Sequence, residues 1–207
     1  MEVKYPVVVL ADGVFPRHVV GIQKLLEAQT IVCCDGAADK LLAYGMEPHY
    51  VVGDLDSINK ITRQQFEDRM YYDCSQEIND LTKAVRFCDK LGANQITILG
   101  ATGLREDHTI ANISLLADYI DLFPVEMITD YGIFTAIRES TTFDSVRGQQ
   151  VSIFSLTSQT RVTLEGLRYP LKEAILDSWW KGSLNESDGE TFTIRFDDGK
   201  VIVFQAF

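Results

Sequence analysis

The spacing of hydrophobic residues divides the chain into two parts with different secondary structure. Up to about residue 137, short apolar runs alternate with segments in which apolar residues recur every three or four positions. Continuous apolar strands that alternate with helices are typical of a mostly parallel sheet covered by helices on both faces. The predicted strands span residues 7–10, 30–34, 50–52, 70–72, 95–99 and 125–129.

Two segments between these strands have the clearest helical pattern. The first ends at Gly92 and the second ends before Pro124, and both residue types commonly terminate helices. Their apolar positions are Leu81, Ala84, Val85, Cys88 and Leu91 in the first helix, and Ile110, Ile113, Ala117 and Ile120 in the second.

From about residue 139 the pattern changes to β-structure, with strands predicted over 150–156, 160–164, 191–196 and 200–207. Phe192, Ile194 and Phe196 alternate with polar residues, and Asp198-Gly199 is a strong hairpin signal before the last strand. We therefore predict a Rossmann-like α/β domain over residues 1–137. An antiparallel β-sandwich domain is predicted over residues 138–207.

The charge balance argues against several classes of partner. The chain has 19 basic and 30 acidic residues, for a formal net charge of -11. A general nucleic-acid or anionic-membrane binder needs a basic surface, so we expect no nucleic acid and no membrane as partner. No apolar run reaches the roughly 18 residues of a membrane helix. The N-terminal residues also lack a signal-peptide pattern, so we expect a cytoplasmic protein.

Polar residues gather where the predicted parallel strands end. In an open parallel sheet, ligands bind at the carboxyl ends of the strands. Five such loops in this chain carry acidic residues, most of them together with glycine, a combination that unrelated loops seldom produce. They span residues 11–13, 35–39, 53–57, 73–80 and 100–108.

The segment Gly53-Asp54-Leu55-Asp56-Ser57 is the most informative of the five. On extended backbone, Asp54 and Asp56 point to the same side and Leu55 points inward. Two carboxylates this close raise each other's pKa unless a cation lies between them. Mg²⁺, which favours one or two carboxylates together with substrate phosphates, is the natural occupant. The alternative is an ordinary polar turn after a strand.

Two residues further along the chain extend this hypothesis. Asp80 either caps the helix that begins at Leu81 or supplies a third metal carboxylate. Lys83 lies one turn further along the same helix and could reach a phosphate.

The glycine-bearing loop after the fifth strand is a candidate phosphate site. Gly100 and Gly103 would let backbone N–H groups approach a phosphate, and the helix that follows offers its positive end. Arg105 can bind phosphate oxygens bidentately. Asp107 could add to the metal shell or orient a metal-bound water. His108 is either a base or a structural or substrate-positioning residue.

The order and spacing of these motifs resemble those of the thiamine pyrophosphokinases (thiamine diphosphokinases). The resemblance covers nearly the whole chain. It rests on Asp35-Gly36-Ala37-Ala38, on the Gly53-to-Ser57 segment, on Gln76-Glu77-Ile78-Asn79-Asp80-Leu81-Thr82-Lys83, on Gly100 to His108 with Asn112, on Gly166-Leu167-Arg168-Tyr169-Pro170-Leu171 and on Ser183-Leu184-Asn185-Glu186.

The resemblance implies an N-terminal domain for ATP and Mg²⁺, a β-sandwich for thiamine, and a homodimer with the active site at the subunit interface. The expected metal ligands are Asp54, Asp56 and Asp80. The expected catalytic residues are these three together with Lys83, Arg105 and Asp107. The nucleotide and its phosphates are expected to contact Asp35, Gln76, Lys83, Gly100, Gly103, Arg105, His108 and Asn112. The residues expected to meet thiamine are Ser183, Asn185 and Glu186.

The chain departs from the family pattern in two places. Glu77 and Asn79 stand where Asp and Thr are usual. The family can stack the thiamine pyrimidine on a tryptophan near the C-terminus, whereas this chain has Val203 or Phe204 in that neighbourhood. The resemblance therefore leaves open which side chain faces the thiamine ring.

The implied reaction is attack by the primary hydroxyl of thiamine on the β-phosphorus of ATP, which releases AMP and thiamine diphosphate. Two alternatives remain at this point. A related pyrophosphokinase that acts on a pterin alcohol would use the same acidic loops with another pocket. A non-enzymatic thiamine or nucleotide sensor would not need the carboxylates Asp54, Asp56 and Asp80.

Overall fold

A parallel sheet forms the centre of the first of two structural units. The computed structural model describes residues 3–157 and 159–207. The first two residues of the predicted N-terminal domain lie outside this range. The first unit contains the described residues up to Leu115 together with Leu122–Asp130, and the second contains Leu116–Asp121 and Tyr131–Phe207.

All strand pairs within the first unit are parallel, and the strand order is β6-β5-β1-β2-β3-β4. The strands are β1 Val7–Leu10, β2 Thr30–Cys34, β3 Tyr50–Gly53, β4 Met70–Tyr72, β5 Ile96–Leu99 and β6 Val125–Ile128. Every residue of β1, β2 and β5 is buried. This burial explains why these strands are continuously apolar in the sequence.

Helices connect the parallel strands, as the alternating pattern predicts. They are α1 Val19–Glu27, α2 Ala37–Ala43, α3 Lys60–Gln65, α4 Asp80–Lys90 and α5 Glu106–Tyr119, with one turn of 3₁₀ helix at Glu67–Arg69. The helix α4 buries Leu81, Ala84, Val85 and Cys88, and it packs on β2 and β3. Four of the five predicted apolar positions are therefore confirmed, and the fifth, Leu91, is a half-buried residue directly after the helix.

Two antiparallel sheets form the second unit. One has the order β12-β9-β14-β7 and the other the order β11-β10-β13-β8. The strands are β7 Gly132–Ile137, β8 Thr141–Asp144, β9 Gln150–Ser155, β10 Arg161–Glu165, β11 Leu171–Ile175, β12 Asn185–Glu186, β13 Thr191–Phe196 and β14 Val201–Ala206, with a 3₁₀ turn at Trp179–Gly182.

Side chains from both sheets of the second unit share one hydrophobic core. Ile153 and Val203 come from the first of these sheets, and Leu164, Phe192 and Ile194 come from the second. This arrangement confirms the predicted fold class, a mostly parallel α/β part followed by an antiparallel sandwich. The structural units change between Asp130 and Tyr131. The predicted domain boundary between residues 137 and 138 stays a prediction.

The sequence pattern missed four strands, β7, β8, β11 and β12. No residue of β8 is buried, and in β11 three of five residues are exposed, so neither strand shows the continuous or strictly alternating apolar pattern of a buried strand. Among the described residues, no helix is both long and apolar enough to cross a lipid bilayer.

Candidate active site

A cavity of about 430 Å³ lies where the strands of the first unit end. Its wall is formed by residues that follow β1, β2, β3 and β5 and by the first turns of α4 and α5. The sequence predicted a ligand site at this edge of the sheet. Of the predicted site residues, the cavity is lined by Asp35, Asp54, Gln76, Asp80, Lys83, Arg105, His108 and Asn112.

Three carboxylates meet beside this cavity. Asp35, Asp54 and Asp56 each present a carboxylate oxygen, and these three atoms lie within 4.8 Å of one another. Asp35 follows β2, and the other two follow the neighbouring strand β3. Oxygen ligands at this spacing suit a hard divalent cation, and the cluster includes two of the three predicted metal ligands.

The backbone reason for this clustering differs from the one predicted. The strand β3 ends at Gly53, and Leu55 has a φ of 60°, which is left-handed rather than extended. The expectation that Asp54 and Asp56 share a side because they alternate on a strand is therefore wrong. A tight left-handed turn at Leu55 achieves the same result, and it buries the Leu55 side chain.

Asp35 carries the clearest sign that this cluster accommodates a cation. The residue is 3% exposed, and among the described residues its Oδ1 atom has no hydrogen-bond partner. Its Oδ2 atom accepts a hydrogen bond from the backbone N–H of Ser57 at 3.3 Å. Burial raises the pKa of Asp35 to about 6, and the charges of the neighbouring carboxylates add to the shift. A divalent cation would satisfy the unpaired oxygen and reverse this shift, so the residues present fit Mg²⁺.

Asp80 lies close to this cluster because Gly53 leaves room for it. A Cβ atom on Gly53 would lie 3.1 Å from Asp35 Cβ and 3.3 Å from Asp80 Oδ1. The Oδ1 atom of Asp80 is bound by Lys83 Nζ at 2.9 Å. Asp80 therefore lies beside the three clustered carboxylates, and its role as a metal ligand remains a prediction.

Lys83 is a buried cation in the cavity wall. Its side chain is 3% exposed, whereas that of Asp80 is 36% exposed. Burial lowers the pKa of Lys83, but the hydrogen bond and charge of Asp80 outweigh this effect and leave the pKa above its ordinary value. The ammonium group is therefore charged at neutral pH and can face an anionic ligand.

Two neutral side chains orient the clustered carboxylates. Gln76 Nε2 donates to Asp54 Oδ2 at 3.2 Å, and the Ser57 hydroxyl donates to Asp56 Oδ1 at 2.8 Å. Burial raises the pKa of Asp54, but the hydrogen bonds from Gln76 and the Asp56 backbone N–H outweigh it, with help from Lys83. The pKa of Asp54 thus lies below its ordinary value, so this carboxylate is ionised and available as a ligand.

The glycine-bearing loop crosses the end of β1. Gly100 has a φ of 67°, and a Cβ atom there would lie 2.6 Å from the carbonyl oxygen of Ala11. The loop is held by hydrogen bonds from Gly13 N–H to Gly100 O at 2.6 Å and from Val14 N–H to Thr102 O at 2.9 Å. Glycine is required for this close approach, which places Ala101 and Thr102 in the cavity wall.

Arg105 and Asp107 form a bidentate pair at the start of α5. The distances are 3.1 Å from Nε to Oδ1 and 2.6 Å from Nη2 to Oδ2. The Arg105 guanidinium lowers the pKa of Asp107 to about 2. Both side chains are exposed, and Asp107 also accepts the backbone N–H of His108 at 2.9 Å. Asp107 thus orients Arg105. Its predicted contact with the metal shell and the role of His108 stay predictions.

Family comparisons agree with this geometry. Residues 22–125 match the family described as "Thiamin pyrophosphokinase, catalytic domain", and residues 132–204 match "Thiamin pyrophosphokinase, substrate-binding domain". The chain belongs to the thiamin pyrophosphokinase family. The predicted family and enzyme activity are thereby confirmed, and neither the pterin nor the non-enzymatic alternative gains support.

Individual members of the thiamin pyrophosphokinase family are distant in sequence and close in fold. "Thiamin pyrophosphokinase 1" of Caenorhabditis elegans is 25% identical over 166 residues, which cover 73% of this chain and 68% of that protein. The crystal structure of thiamine pyrophosphokinase from Bacillus subtilis is similar with a TM-score of 0.80 at 23% identity, over 97% of this chain and 98% of that one. The structure of the yeast enzyme also gives a TM-score of 0.80, at 18% identity over 97% and 86% of the two chains.

One contact beside the site joins Asp12, which lies in the acidic loop 11–13, to Lys40, which the sequence pattern did not identify. Lys40 Nζ binds Asp12 Oδ1 at 2.7 Å and donates to the carbonyl oxygens of Asp12 and Gly13 at 2.7 and 2.8 Å. Asp12 lies two residues after β1 and lines the cavity, as expected for an acidic loop at a strand end, although the sequence assigned this residue no individual role. Lys40 lies within α2, and its spacing in the sequence gives no indication of this contact.

The residues predicted to meet thiamine lie in the second unit. Asn185 is buried, and its side chain is fully engaged with the backbone: Nδ2 donates to Tyr169 O at 2.8 Å, and Oδ1 accepts from Tyr169 N and Glu186 N at 3.0 and 2.9 Å. Ser183 Oγ donates to Trp180 O at 2.7 Å, and Glu186 pairs with Arg168 at 3.3 Å. These contacts fix the shape of the surrounding loops.

The C-terminal strand contains a ring pair where the family can have a tryptophan. Phe204 packs against Phe134 with ring centroids 4.6 Å apart, whereas Val203 is wholly buried in the sandwich core. Of the two residues considered from the sequence, Phe204 alone is partly accessible. A thiamine contact at this position remains a prediction.

Proposed function

We propose that this chain transfers the pyrophosphoryl group of ATP to the primary hydroxyl of thiamine, giving thiamine diphosphate and AMP. The observation that supports it most is the cavity in which a carboxylate cluster with an unpaired buried oxygen faces a buried cation, Lys83. Phosphoryl-type transfer depends on positioning and charge neutralisation rather than on covalent chemistry. This cavity supplies groups for both.

We assign Mg²⁺ to the carboxylates Asp54 and Asp56, with Asp35 and Asp80 as the candidates for a further ligand. When bound, this ion supplies positive charge to the phosphate oxygens of ATP. We favour Asp35 as the further ligand, because its Oδ1 atom has no hydrogen-bond partner among the described residues, whereas Asp80 Oδ1 is already bound by Lys83.

The side chains of the cavity divide the remaining tasks. Lys83 holds the phosphate oxygens with a point charge. Asp107 holds Arg105 through Nε and Nη2, and Arg105 binds the phosphate oxygens bidentately with the remaining hydrogens of Nη1 and Nη2. Gln76 fixes Asp54, and Asn112 lies in the wall near the glycine-bearing loop, where the nucleotide would bind. Gly100 and Gly103 shape that loop.

The reaction itself forms one bond and breaks one bond. The thiamine oxygen bonds to the β-phosphorus, and the bond from that phosphorus to the bridging oxygen of the α-phosphate breaks. The electron pair remains with AMP, and the hydroxyl proton leaves with a base, for which His108 is the candidate in the cavity wall.

We further propose that the catalytic domain spans residues 1–137 and that the β-sandwich domain, 138–207, binds thiamine through Ser183, Asn185 and Glu186. We also propose a homodimer with the active site at the subunit interface, which the family resemblance implies. The proposed location is the cytoplasm, because the N-terminal residues show no signal-peptide pattern. Small-angle scattering and sedimentation of the purified chain test the dimer directly.

Product analysis tests the function. Purified protein is incubated with ATP, Mg²⁺ and thiamine, and nucleotides and thiamine species are separated by chromatography. Equal amounts of AMP and thiamine diphosphate, lost on addition of a chelator, are expected. A pterin alcohol in place of thiamine should give no AMP, and AMP release with the pterin alone would contradict the proposed substrate.

A further inference from the structure

A chain of side-chain amides connects the first turn of α4 to the glycine-bearing loop. Asn112 Nδ2 donates to the carbonyl oxygen of Ala101 at 2.8 Å. Asn79 Nδ2 donates to Asn112 Oδ1 at 3.1 Å. Asn79 Oδ1 in turn accepts the backbone N–H of Thr82 at 2.9 Å and the Thr82 hydroxyl at 2.7 Å. We call these four residues the amide relay.

The direction of every hydrogen bond in the amide relay is fixed by its two ends. The Ala101 carbonyl can only accept, so Asn112 must present its NH₂ group to it and its oxygen to Asn79. Asn79 must then present its own NH₂ group to Asn112, which leaves its oxygen for the orphan N–H of Thr82. Rotating the side-chain amide of either Asn79 or Asn112 by a half-turn would place two acceptors against each other.

The amide relay spans the groups assigned to the phosphates. Asn79 directly precedes Asp80, and its carbonyl oxygen accepts the backbone N–H of Lys83 at 3.1 Å. Ala101 belongs to the loop that carries Gly100 and Gly103. Asn79, Ala101 and Asn112 all line the cavity. A shift of Asn79 would therefore move Asp80 and Lys83 relative to the loop on the other side of the cavity.

We propose that Asn79 is a positioning residue for the pyrophosphoryl transfer, which acts by holding Lys83 and Asp80 in register with the glycine-bearing loop through Asn112. The inference rests on the proposed function. The positioning role of Asn79 is separate from helix capping, because Oδ1 of this side chain caps α4 whereas Nδ2 donates to Asn112.

Two variants separate these roles. Asn79→Ser keeps a capping oxygen but is too short to reach Asn112, and Asn79→Asp keeps the cap but presents only acceptors to Asn112 Oδ1. The matched control is Asn59→Ser. Asn59 caps α3 through the same contact, with its Oδ1 accepting from Thr62 N at 2.9 Å, and it does not line the cavity.

For Asn79→Ser we expect kcat to fall by about ten- to a hundredfold, because small displacements of catalytic groups have effects of this size. The KM for thiamine should change little, and the melting temperature should fall no further than in Asn59→Ser. Asn79→Asp should lose at least as much turnover. Wild-type kcat in Asn79→Ser, or a kcat loss equal to that of Asn59→Ser, would overturn the proposal.

A double-mutant cycle with Asn112→Ala gives a second readout. If the two amides act as one unit, Asn79→Ser should cost no further turnover in the Asn112→Ala background. Independent, multiplicative losses would contradict the relay.

The proposed function and the relay fail in different ways. An inactive wild-type chain would refute the proposed function alone. The relay is then measured by the rise in melting temperature on adding ATP and Mg²⁺. That rise should be smaller in Asn79→Ser than in Asn59→Ser, and equal rises in the two variants would refute the relay.

Discussion

Lys83 and Asp80 form an ion pair one helical turn apart in which the cation is buried and the carboxylate is partly exposed. The Nζ–Oδ1 distance is 2.9 Å, and the Lys83 side chain is 3% exposed. A buried ammonium is stable only with a compensating charge. Asp80 therefore keeps Lys83 charged until an anionic ligand enters the cavity.

Replacing Lys83 by methionine should separate catalysis from stability. The side chain keeps its bulk but loses its charge, so we expect turnover to fall by roughly a hundredfold or more. The melting temperature should fall modestly, because Asp80 retains contact with solvent. The double variant Lys83→Met/Asp80→Asn should regain melting temperature without regaining activity, and recovery of turnover in that variant would contradict the role of Lys83.

Neutralising either carboxylate of the Asp54–Asp56 pair should abolish turnover and leave the fold intact. Asp54→Asn and Asp56→Asn remove the charge that holds Mg²⁺ while preserving size. Circular dichroism and melting curves verify the fold, and product formation measures turnover. Asp68→Asn, an exposed site outside the cavity, is the control. Near-wild-type activity in Asp54→Asn or Asp56→Asn would refute the metal assignment.

Asp35 should make the metal-free protein less stable as the pH rises. Its pKa of about 6 in the folded chain exceeds the ordinary value of 3.8, so the folded state binds the proton more tightly than the unfolded state. The associated stability is complete below pH 3.8, is lost between pH 3.8 and about 6, and stays lost above that range. The Asn side chain of the Asp35→Asn variant does not ionise, so this variant should not show that loss of stability.

Melting temperatures measured with chelator across this pH range test the role of Asp35. The advantage of Asp35→Asn over the wild type should be absent near pH 4 and should grow up to about pH 6. Addition of Mg²⁺ at neutral pH should stabilise the wild type more than the variant. A difference in melting temperature between the two proteins that does not change with pH would contradict the raised pKa of Asp35 in the folded chain.

Asp107 should act on ATP binding through Arg105. Because the pair is exposed, Asp107→Asn should leave the melting temperature almost unchanged. Loss of the bidentate partner frees the guanidinium, so we expect the KM for ATP to rise several-fold with a smaller effect on kcat. Arg105→Lys should raise the KM for ATP further, because a lysine cannot bind phosphate bidentately. An unchanged KM for ATP in both variants would exclude Arg105 from the phosphate site.

The sequence predicted the parallel sheet well because its strands are buried on both faces. Continuous burial leaves a continuous apolar signal, as in β1 and β2. The strands β8 and β11 gave no such signal, because their backbone pairing does not require apolar side chains. Antiparallel pairing of this kind depends on neighbours distant in sequence.

The candidate site was predictable in location and only partly in geometry. The carboxyl ends of parallel strands form one edge of the sheet, which is why the location could be predicted. Asp54 and Asp56 were identified as a pair from their spacing in one loop after β3, although the backbone reason assumed for that pair is wrong. The left-handed turn at Leu55 and the unpaired oxygen of Asp35 depend on tertiary packing, and short-range sequence patterns do not report it. The contact of Lys40 with Asp12 is of the same kind.

The most direct test of the central claim follows the β-phosphorus of ATP. Wild-type protein is given thiamine, Mg²⁺ and ATP labelled with ³²P at the β-position, and the labelled products are separated. The proposed pyrophosphoryl transfer predicts that the label moves to thiamine diphosphate while unlabelled AMP accumulates. Label that remains in ADP beside thiamine monophosphate would contradict it, because the γ-phosphorus would then be the atom attacked.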